Sequence, residues 1–386
     1  MRSNPLSTLR FSFEPRLKRA ACAGLDRLGL LKPLTFVQWL VTYCCNFRCP
    51  FCEANAGEAD RPELTTAEAE AFVDDLGRMG VRRLVVSGGE PLVRGDLPEL
   101  LTRAALRGLS LGLVTNGWFV PDLWSELEHL PWFLLFTSLD GPPAHHDRLR
   151  GTGSFARVLQ SLELFAGRHV PTRIINTVVM AETLPLLPAL FEEVRRSAAT
   201  RWHLTPVAPV GRAAGSEDSL LDGEGLRRLG AFLESADGDL PVGLGEAHGY
   251  LWPFLGKKRG RPFFCGAGRT RCSVMPDGTV LGCHQPYDLG LGVGNVKDRP
   301  FSELWHEALR PLRRRALPEG CRDCPQKGAC AGGCWAEMAT RGHCLRATLD
   351  PTPWRPGAPC REGNRSLPPG PSRLDAPRAE QDAGLE

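Results

Sequence analysis

The stretch Phe36-Val37-Gln38-Trp39-Leu40-Val41-Thr42-Tyr43-Cys44-Cys45-Asn46-Phe47-Arg48-Cys49-Pro50-Phe51-Cys52 carries an apolar run straight into four cysteines. Residues 36–42 have the composition of a buried strand, and the thiols crowd the loop where it ends. Cys45, Cys49 and Cys52 give the spacing C-x3-C-x2-C. A structural zinc site takes four ligands, usually as pairs, and this loop would supply an awkward three or four. Three thiolates on one loop suit a [4Fe–4S] cluster with one iron left without a protein ligand. An open coordination position signals chemistry rather than scaffolding. Cys44 falls outside the pattern and reads as a small buried residue at the strand end.

Downstream of this loop the chain alternates strand and helix. Thr65 and Glu68 form a capping box for a helix over 65–79, with Ala69, Phe72, Val73 and Leu76 at i, i+3, i+4, i+7 and Gly80 as its stop. Leu84-Val85-Val86 ends in Ser87-Gly88-Gly89-Glu90-Pro91, and a helix opens at Asp96 with Leu97, Leu100, Leu101 and Ala104 on one face. Residues 111–114 end in Thr115-Asn116-Gly117, and residues 133–136 end in Ser138-Leu139-Asp140-Gly141. A helix near 154–167, a strand over 173–179, a helix through Leu187, Leu190, Phe191 and Val194, and a strand at 202–204 continue the rhythm. Six β-then-α units imply a parallel sheet, open or closed into a barrel. The polar and Gly-rich motifs all fall where strands end, the rim on which parallel α/β folds bind ligands.

With 386 residues the chain can build two domains. A net charge of +3 decides nothing about anionic partners. The clusters 257–259 and 313–315 read as solvated faces rather than as a nucleic-acid site. No apolar run reaches the ~18–20 residues of a membrane span, and the N-terminus lacks a secretory apolar region, so a cytoplasmic location is expected. Residues 1–34, basic and weakly like a transit peptide, read as a helical or irregular lead-in. In a reducing compartment 14 cysteines in clusters mean metal or redox chemistry rather than disulfides.

CNFRCPFC and the GGEP of residues 88–91 together resemble the cluster loop and motif of the radical S-adenosylmethionine (SAM) enzymes. The resemblance implies a partial (β/α)6 TIM-like barrel over 35–235 in which Cys45, Cys49 and Cys52 ligate a [4Fe–4S] cluster and SAM completes its fourth iron. Residues Gly88, Gly89, Glu90 and Pro91 would receive the SAM amino group, and Phe51 would lie near adenine. Asn116 ends the third strand on the same rim. Ser138 and Asp140 would face the ribose, and Arg150 the SAM carboxylate. On the residues alone those three read equally as capping, turn or surface groups.

Cys265, Gly278-x4-Cys283 and Cys321-x2-Cys324-x5-Cys330-x3-Cys334 resemble the SPASM extension, here a loop-rich, cysteine-dense domain over 236–360. Met275 to Val280 looks like its β-hairpin, with Asp277-Gly278 as a two-residue turn. Gly294-Asn295-Val296 and Ser302-Glu303-Leu304-Trp305 look like its linking segment. By this resemblance Cys265, Cys272, Cys283 and Cys334 hold one auxiliary [4Fe–4S] cluster. Cys321, Cys324, Cys330 and either Cys344 or Cys360 hold a second, with Cys344 preferred. A zinc-ribbon-like domain is the alternative for these pairs. His284, where sulfatase-maturating relatives carry an acid, reads as a catalytic base or as a hydrogen-bond donor to cluster sulfur.

The implied function is reductive cleavage of SAM and hydrogen abstraction, most often to modify a ribosomally made peptide. A small-molecule cofactor, sugar, nucleoside or tetrapyrrole intermediate is one alternative, and a metal-binding scaffold another. The implied partners are a precursor peptide or small substrate and a flavodoxin- or ferredoxin-type electron donor; residues 1–34 are too short for a leader-recognition domain, which is then either a separate chain or not needed by the substrate. The Pro- and Gly-rich segment 361–386 reads as a disordered tail.

Overall fold

The computed structural model describes residues 34, 36–57, 61–236, 238–245, 265–285, 291–313, 315, 317, 321, 324 and 332–336. The lead-in, the tail, Lys257 to Arg259, and Cys22, Cys330, Cys344 and Cys360 lie outside them. The described chain folds around one nine-stranded sheet. Its strands are β1 (Phe36–Leu40), β2 (Arg83–Ser87), β3 (Ser110–Val114), β4 (Trp132–Ser138), β5 (Thr172–Val179), β6 (Arg201–Pro206), β7 (Val242–Leu244), β8 (Arg271–Val274) and β9 (Val280–Leu281). The spatial order is β7-β6-β5-β4-β3-β2-β1-β8-β9, parallel throughout except for the antiparallel β8–β9 pair.

The six expected strand–helix units are all present. The helices are α1 (Thr66–Arg78), α2 (Leu97–Leu106), α3 (Trp124–Leu127), α4 (Pro143–Arg150), α5 (Ser154–Gly167), α6 (Leu187–Arg196) and α7 (Gly223–Ser235). The capping box forms as expected: Thr65 N–H donates to the Glu68 carboxylate at 2.8 Å, and Glu68 N–H donates to Thr65 Oγ1 at 3.3 Å. Asp96 does not cap its own helix. Its carboxylate takes the Arg94 guanidinium and the Thr66 hydroxyl, which ties the start of α2 to the start of α1. Asp147 of α4 serves as a remote cap for α5, accepting Gly153 N–H at 2.7 Å and Phe155 N–H at 2.9 Å.

Strand alternation divides the sheet into two faces. Ile175, Val179, Trp202 and Leu204 point toward the helices and are buried in the main core. Phe136, Asn176, His203 and Thr205 alternate with such residues, are only half-buried, and face the inside of the curved sheet. Beyond the opposite ends of the sheet, Leu226 of α7 and Leu244 of β7 pack with Ala267 and Cys283, next to β8 and β9. The sheet therefore curls into the expected partial barrel.

Three strands lie outside the six expected units but in the same sheet. β7 extends it beyond β6, β8 pairs with β1 (Val37↔Cys272, Trp39↔Val274), and β9 follows β8. The expected hairpin forms, but its turn is not the two-residue Asp277-Gly278. Gly278 N–H closes on Met275 O at 2.9 Å, which puts Pro276 and Asp277 at the corners, with Gly278 following at φ +91°. This is the longer loop of a turn followed by a left-handed glycine, into which the fixed φ of proline fits at the first corner. The linking segment runs back over the core. Phe301 meets Phe72 edge to face at 5.5 Å, and Ser302 N–H donates to the buried Asp75 carboxylate at 2.9 Å.

Candidate active site

The C-terminal ends of β1 to β6 converge on the cysteine loop. Its root is locked by backbone: Gly89 N–H donates to Thr42 O at 2.8 Å and Glu90 N–H to Cys44 O at 2.9 Å. A Cβ at residue 89 would lie 2.2 Å from Cys44 O, so only glycine lets the two loops approach this closely. Cys44 is half-buried and lies beyond the end of β1, not buried at the strand end as the sequence suggested. What it contributes is that carbonyl.

Glu90 is fully buried. Its carboxylate accepts the Leu92 N–H (3.1 Å), the Thr115 hydroxyl (2.8 Å) and the Asn116 N–H (2.7 Å), which fastens the loop after β2 to the loop after β3. Burial nevertheless pushes its pKa up to about 7. Asn116 carries the chain of contacts onward: its side-chain amide donates to Asn46 Oδ1 at 2.8 Å and stands 4.0 Å from Cys45 Sγ. Pro91 opens the short turn Pro91–Val93 that follows.

On the other side, Asp140 is fully buried and paired with Arg150, whose guanidinium also sits 5.3 Å over the Phe51 ring. The second Asp140 oxygen accepts Val178 N–H at 2.8 Å, and Asp140 N–H donates to His146 Nδ1 at 3.1 Å. Burial holds the His146 imidazole neutral, with a pKa pulled down to about 4. Burial works against the Arg150 charge, yet Asp140 and the Cys49 thiol hold its pKa above the usual arginine value. Ser138 ends β4 on the inner face beside this pair.

Arg212, which the sequence did not single out, straps the cysteine loop from the segment after β6. Its guanidinium donates to Cys49 O at 2.7 Å and Ala56 O at 2.6 Å, and its backbone N–H to Cys52 O at 3.0 Å. Gly211 beside it has φ +57°, and a Cβ there would lie 2.2 Å from Cys52 O. The only local signal was the glycine-bearing segment at the end of β6.

Two family models match the chain: the radical SAM superfamily over residues 39–186, and an iron–sulfur cluster-binding SPASM domain over 265–325. The mycofactocin maturase MftC of Mycolicibacterium smegmatis is 31% identical over 328 residues, 83% of this chain and 82% of that protein. This chain is a radical SAM/SPASM enzyme. The AdoMet-dependent heme synthase of Methanosarcina barkeri is 30% identical, covering 77% of this chain and 90% of its own. The crystal structure of Streptococcus suis SuiB bound to S-adenosylmethionine shares the fold, with TM-score 0.63, 19% identity, and coverage of 88% and 80%.

The cofactors of a radical SAM/SPASM enzyme are [4Fe–4S] clusters and SAM, and the residues present fit them. Cys45, Cys49 and Cys52 share one apolar wall with Phe47, Phe51, Leu149, Met180 and Val207. Burial pushes the Cys45 thiol up to about 11 and raises Cys49 as well, so ionisation here goes with metal binding. Among the described residues no three His, Cys, Asp or Glu side chains close on a point suited to a single metal ion.

In the SPASM half of this radical SAM/SPASM enzyme, Cys265, Cys283 and Cys334 gather in one small cluster with Ala267, Leu226 and Ala336. Cys272 belongs to another group: it is 1% exposed inside β8, within the main core, where burial raises its pKa strongly and the Arg313 charge opposes the rise. Cys321 and Cys324 sit in one turn, with Cys324 N–H donating to Cys321 O at 3.4 Å. His284 directly follows Cys283 and is half-buried.

Arg313 and Arg315, the described members of the 313–315 run, do not form the solvated face expected. Arg313 is 4% exposed and donates to Trp305 O at 2.6 Å and His306 O at 2.7 Å. Arg315 is half-buried against Ala267 O and Leu312 O, both at 2.8 Å. Carbonyls from distant residues replace the water that a charge run ordinarily needs.

Proposed function

We propose that this enzyme modifies a ribosomally made peptide by hydrogen abstraction. The observation that carries the reading is the polar and aromatic inner face of the sheet. Asn176 and Thr205 join side chain to side chain at 2.7 Å, and His203 meets Phe136 edge to face at 6.1 Å. Such a wall offers amide, hydroxyl and aromatic contacts to a peptide. The likeness to the mycofactocin maturase, and to the PqqA peptide cyclase of Granulibacter bethesdensis at 29% identity over 80% of the chain, supports it.

In this reading Cys45, Cys49 and Cys52 hold the SAM-binding cluster. When bound, the cluster and SAM would supply the one-electron reductive chemistry by which a substrate hydrogen is taken. The protein's part is placement. Arg212 and the Gly89–Cys44 contact fix the loop, and Glu90 fixes Asn116 beside Cys45. Phe51 and the Asp140–Arg150 pair offer a flat apolar surface and a fixed charge to the SAM side. Ser138 lies within the same rim. Cys265, Cys283 and Cys334 are assigned to the first auxiliary cluster; Cys272, the fourth ligand that the resemblance implies, sits in the main core within β8 and would have to leave it to join them. Cys321, Cys324, Cys330 and Cys344 are assigned to the second, and His284 to a hydrogen-bonding or proton-accepting role beside the first. An external flavodoxin- or ferredoxin-type donor would supply electrons in a cytoplasmic setting. Among the described residues no helix is long and apolar enough to cross a membrane.

The test is anaerobic incubation with SAM, dithionite and the synthetic peptide encoded by a short reading frame beside the gene, followed by mass spectrometry. The expected result is a defined mass change in the peptide together with 5′-deoxyadenosine. Turnover of a tetrapyrrole, with the peptide left untouched, would replace this reading with that of the heme synthase relative.

A further inference from the structure

Three arginines converge on the SPASM cysteines, and they divide the work. Arg269 is buried and donates to Arg313 O at 3.1 Å and Cys265 O at 3.4 Å. Arg313 is fixed by Trp305 O and His306 O and lies 5.0 Å over the Trp305 ring. Both brace the backbone that carries Arg315. The Arg315 guanidinium is pinned by Ala267 O and Leu312 O and reaches Cys265 O at 3.5 Å. Burial works against its charge, and the groups nearby that favour it are the thiols of Cys265, Cys334 and Cys283. Those are the three cysteines that pack together beyond β9. Arg315 thus meets Cys265 both through its carbonyl oxygen and through a hydrogen bond to its side chain.

We propose that Arg315 is the fixed countercharge of the first auxiliary cluster and raises its reduction potential; the inference rests on assigning that centre to Cys265, Cys283 and Cys334. A thiolate-ligated cubane becomes more negative by one charge on reduction, while its iron, sulfide and ligand count stay the same. A guanidinium held in a poorly solvated wall beside it favours the more negative state, because little water is present to screen the attraction. Arg315 is a positioning residue of charge, touching the ligand loop rather than the substrate.

The experiment is a dithionite titration followed by electron paramagnetic resonance on the full chain, anaerobically reconstituted. It is run in the Cys45→Ala, Cys49→Ala, Cys52→Ala background so that the SAM-binding cluster is silent. The first auxiliary signal is the one that Cys283→Ala removes. Arg315→Gln is expected to keep about 8 iron atoms and to need a more negative potential for half-reduction, a tenfold fall in the reduced-to-oxidised ratio corresponding to about 59 mV. Arg315→Lys, which keeps the charge, is expected to stay near the parent. Full iron with an unshifted midpoint in Arg315→Gln overturns the countercharge. If Gln loses the cluster while Lys keeps it, the charge requirement stands; if both lose it alike, the role is structural and the proposal falls. If Cys265→Ala, Cys283→Ala and Cys334→Ala leave the iron count unchanged, it is the assignment of the centre that fails.

Discussion

At the mouth of the sheet, Arg150 approaches the cysteine loop already paired with the buried Asp140. Beyond β9, Arg315 approaches Cys265, Cys283 and Cys334 held by carbonyl oxygens and by the Cys265 side chain. In the first region the Arg150 charge is compensated by a carboxylate, while Arg212 straps the same loop through Cys49 O and Ala56 O. In the second, the groups that favour the Arg315 charge are the cysteines themselves. A site that must receive and release a small molecule benefits from the first arrangement, and a permanently ligated centre from the second.

The largest effect expected of any change is at the loop itself. Replacing Cys45, Cys49 and Cys52 with Ala should lower reconstituted iron from about 12 to about 8 atoms per chain and abolish SAM cleavage. Iron and sulfide analysis checks this. A fall to zero would mean that the two regions do not load independently. Breaking the paired charge comes next. Arg150→Met strands Asp140 in the interior and should destabilise the fold by about 3–5 kcal/mol in chemical denaturation. The double change with Asp140→Leu should recover much of that.

Gly211→Ala should then cost more than about 1 kcal/mol, since the residue combines φ +57° with contact against Cys52 O. It should also reduce iron retained after gel filtration, because the strap from Arg212 shifts with it. A smaller and pH-dependent effect falls on Glu90. Its folded pKa of about 7 lies above the ordinary value of 4.5, so between these pH values the folded state binds more protons than the unfolded state. Stability should therefore fall as pH rises through that window and flatten above it. Glu90→Gln should remove this slope in denaturation curves measured from pH 5 to 8, while weakening the hold on Asn116. The exposed Arg195–Glu192 pair provides the floor: Arg195→Ala should leave both iron content and melting temperature unchanged.

The regular framework was legible because local pattern and tertiary demand agree there. α1 begins where Thr65 and Glu68 say it should, α5 covers the run expected from Phe155, Val158 and Leu162, and the C-x3-C-x2-C loop sits at the end of β1. The losses have physical reasons. β7 is three residues long, too short to show a period, and β8 joins β1 across more than two hundred residues with no local mark of the pairing. Arg212 works through carbonyls that every residue type carries, so its partners leave no trace in composition. Arg313 and Arg315 looked solvated because a run of charge reveals nothing about carbonyls arriving from Ala267 or Trp305. Cys272 has the spacing of its neighbours, yet strand pairing seats it in another packed group.

The pairing of β8 with β1 bears on how this protein can be divided. Cutting after α7 would strip β1 of a neighbour and leave Phe36 to Trp39 with an open row of backbone donors and acceptors, and would also unseat Phe301 from Phe72. An exposed apolar edge of that kind templates association with other chains. A fragment ending near residue 235 should accordingly accumulate as aggregates rather than as a small working enzyme, and the SPASM half doubles as the cover of that edge.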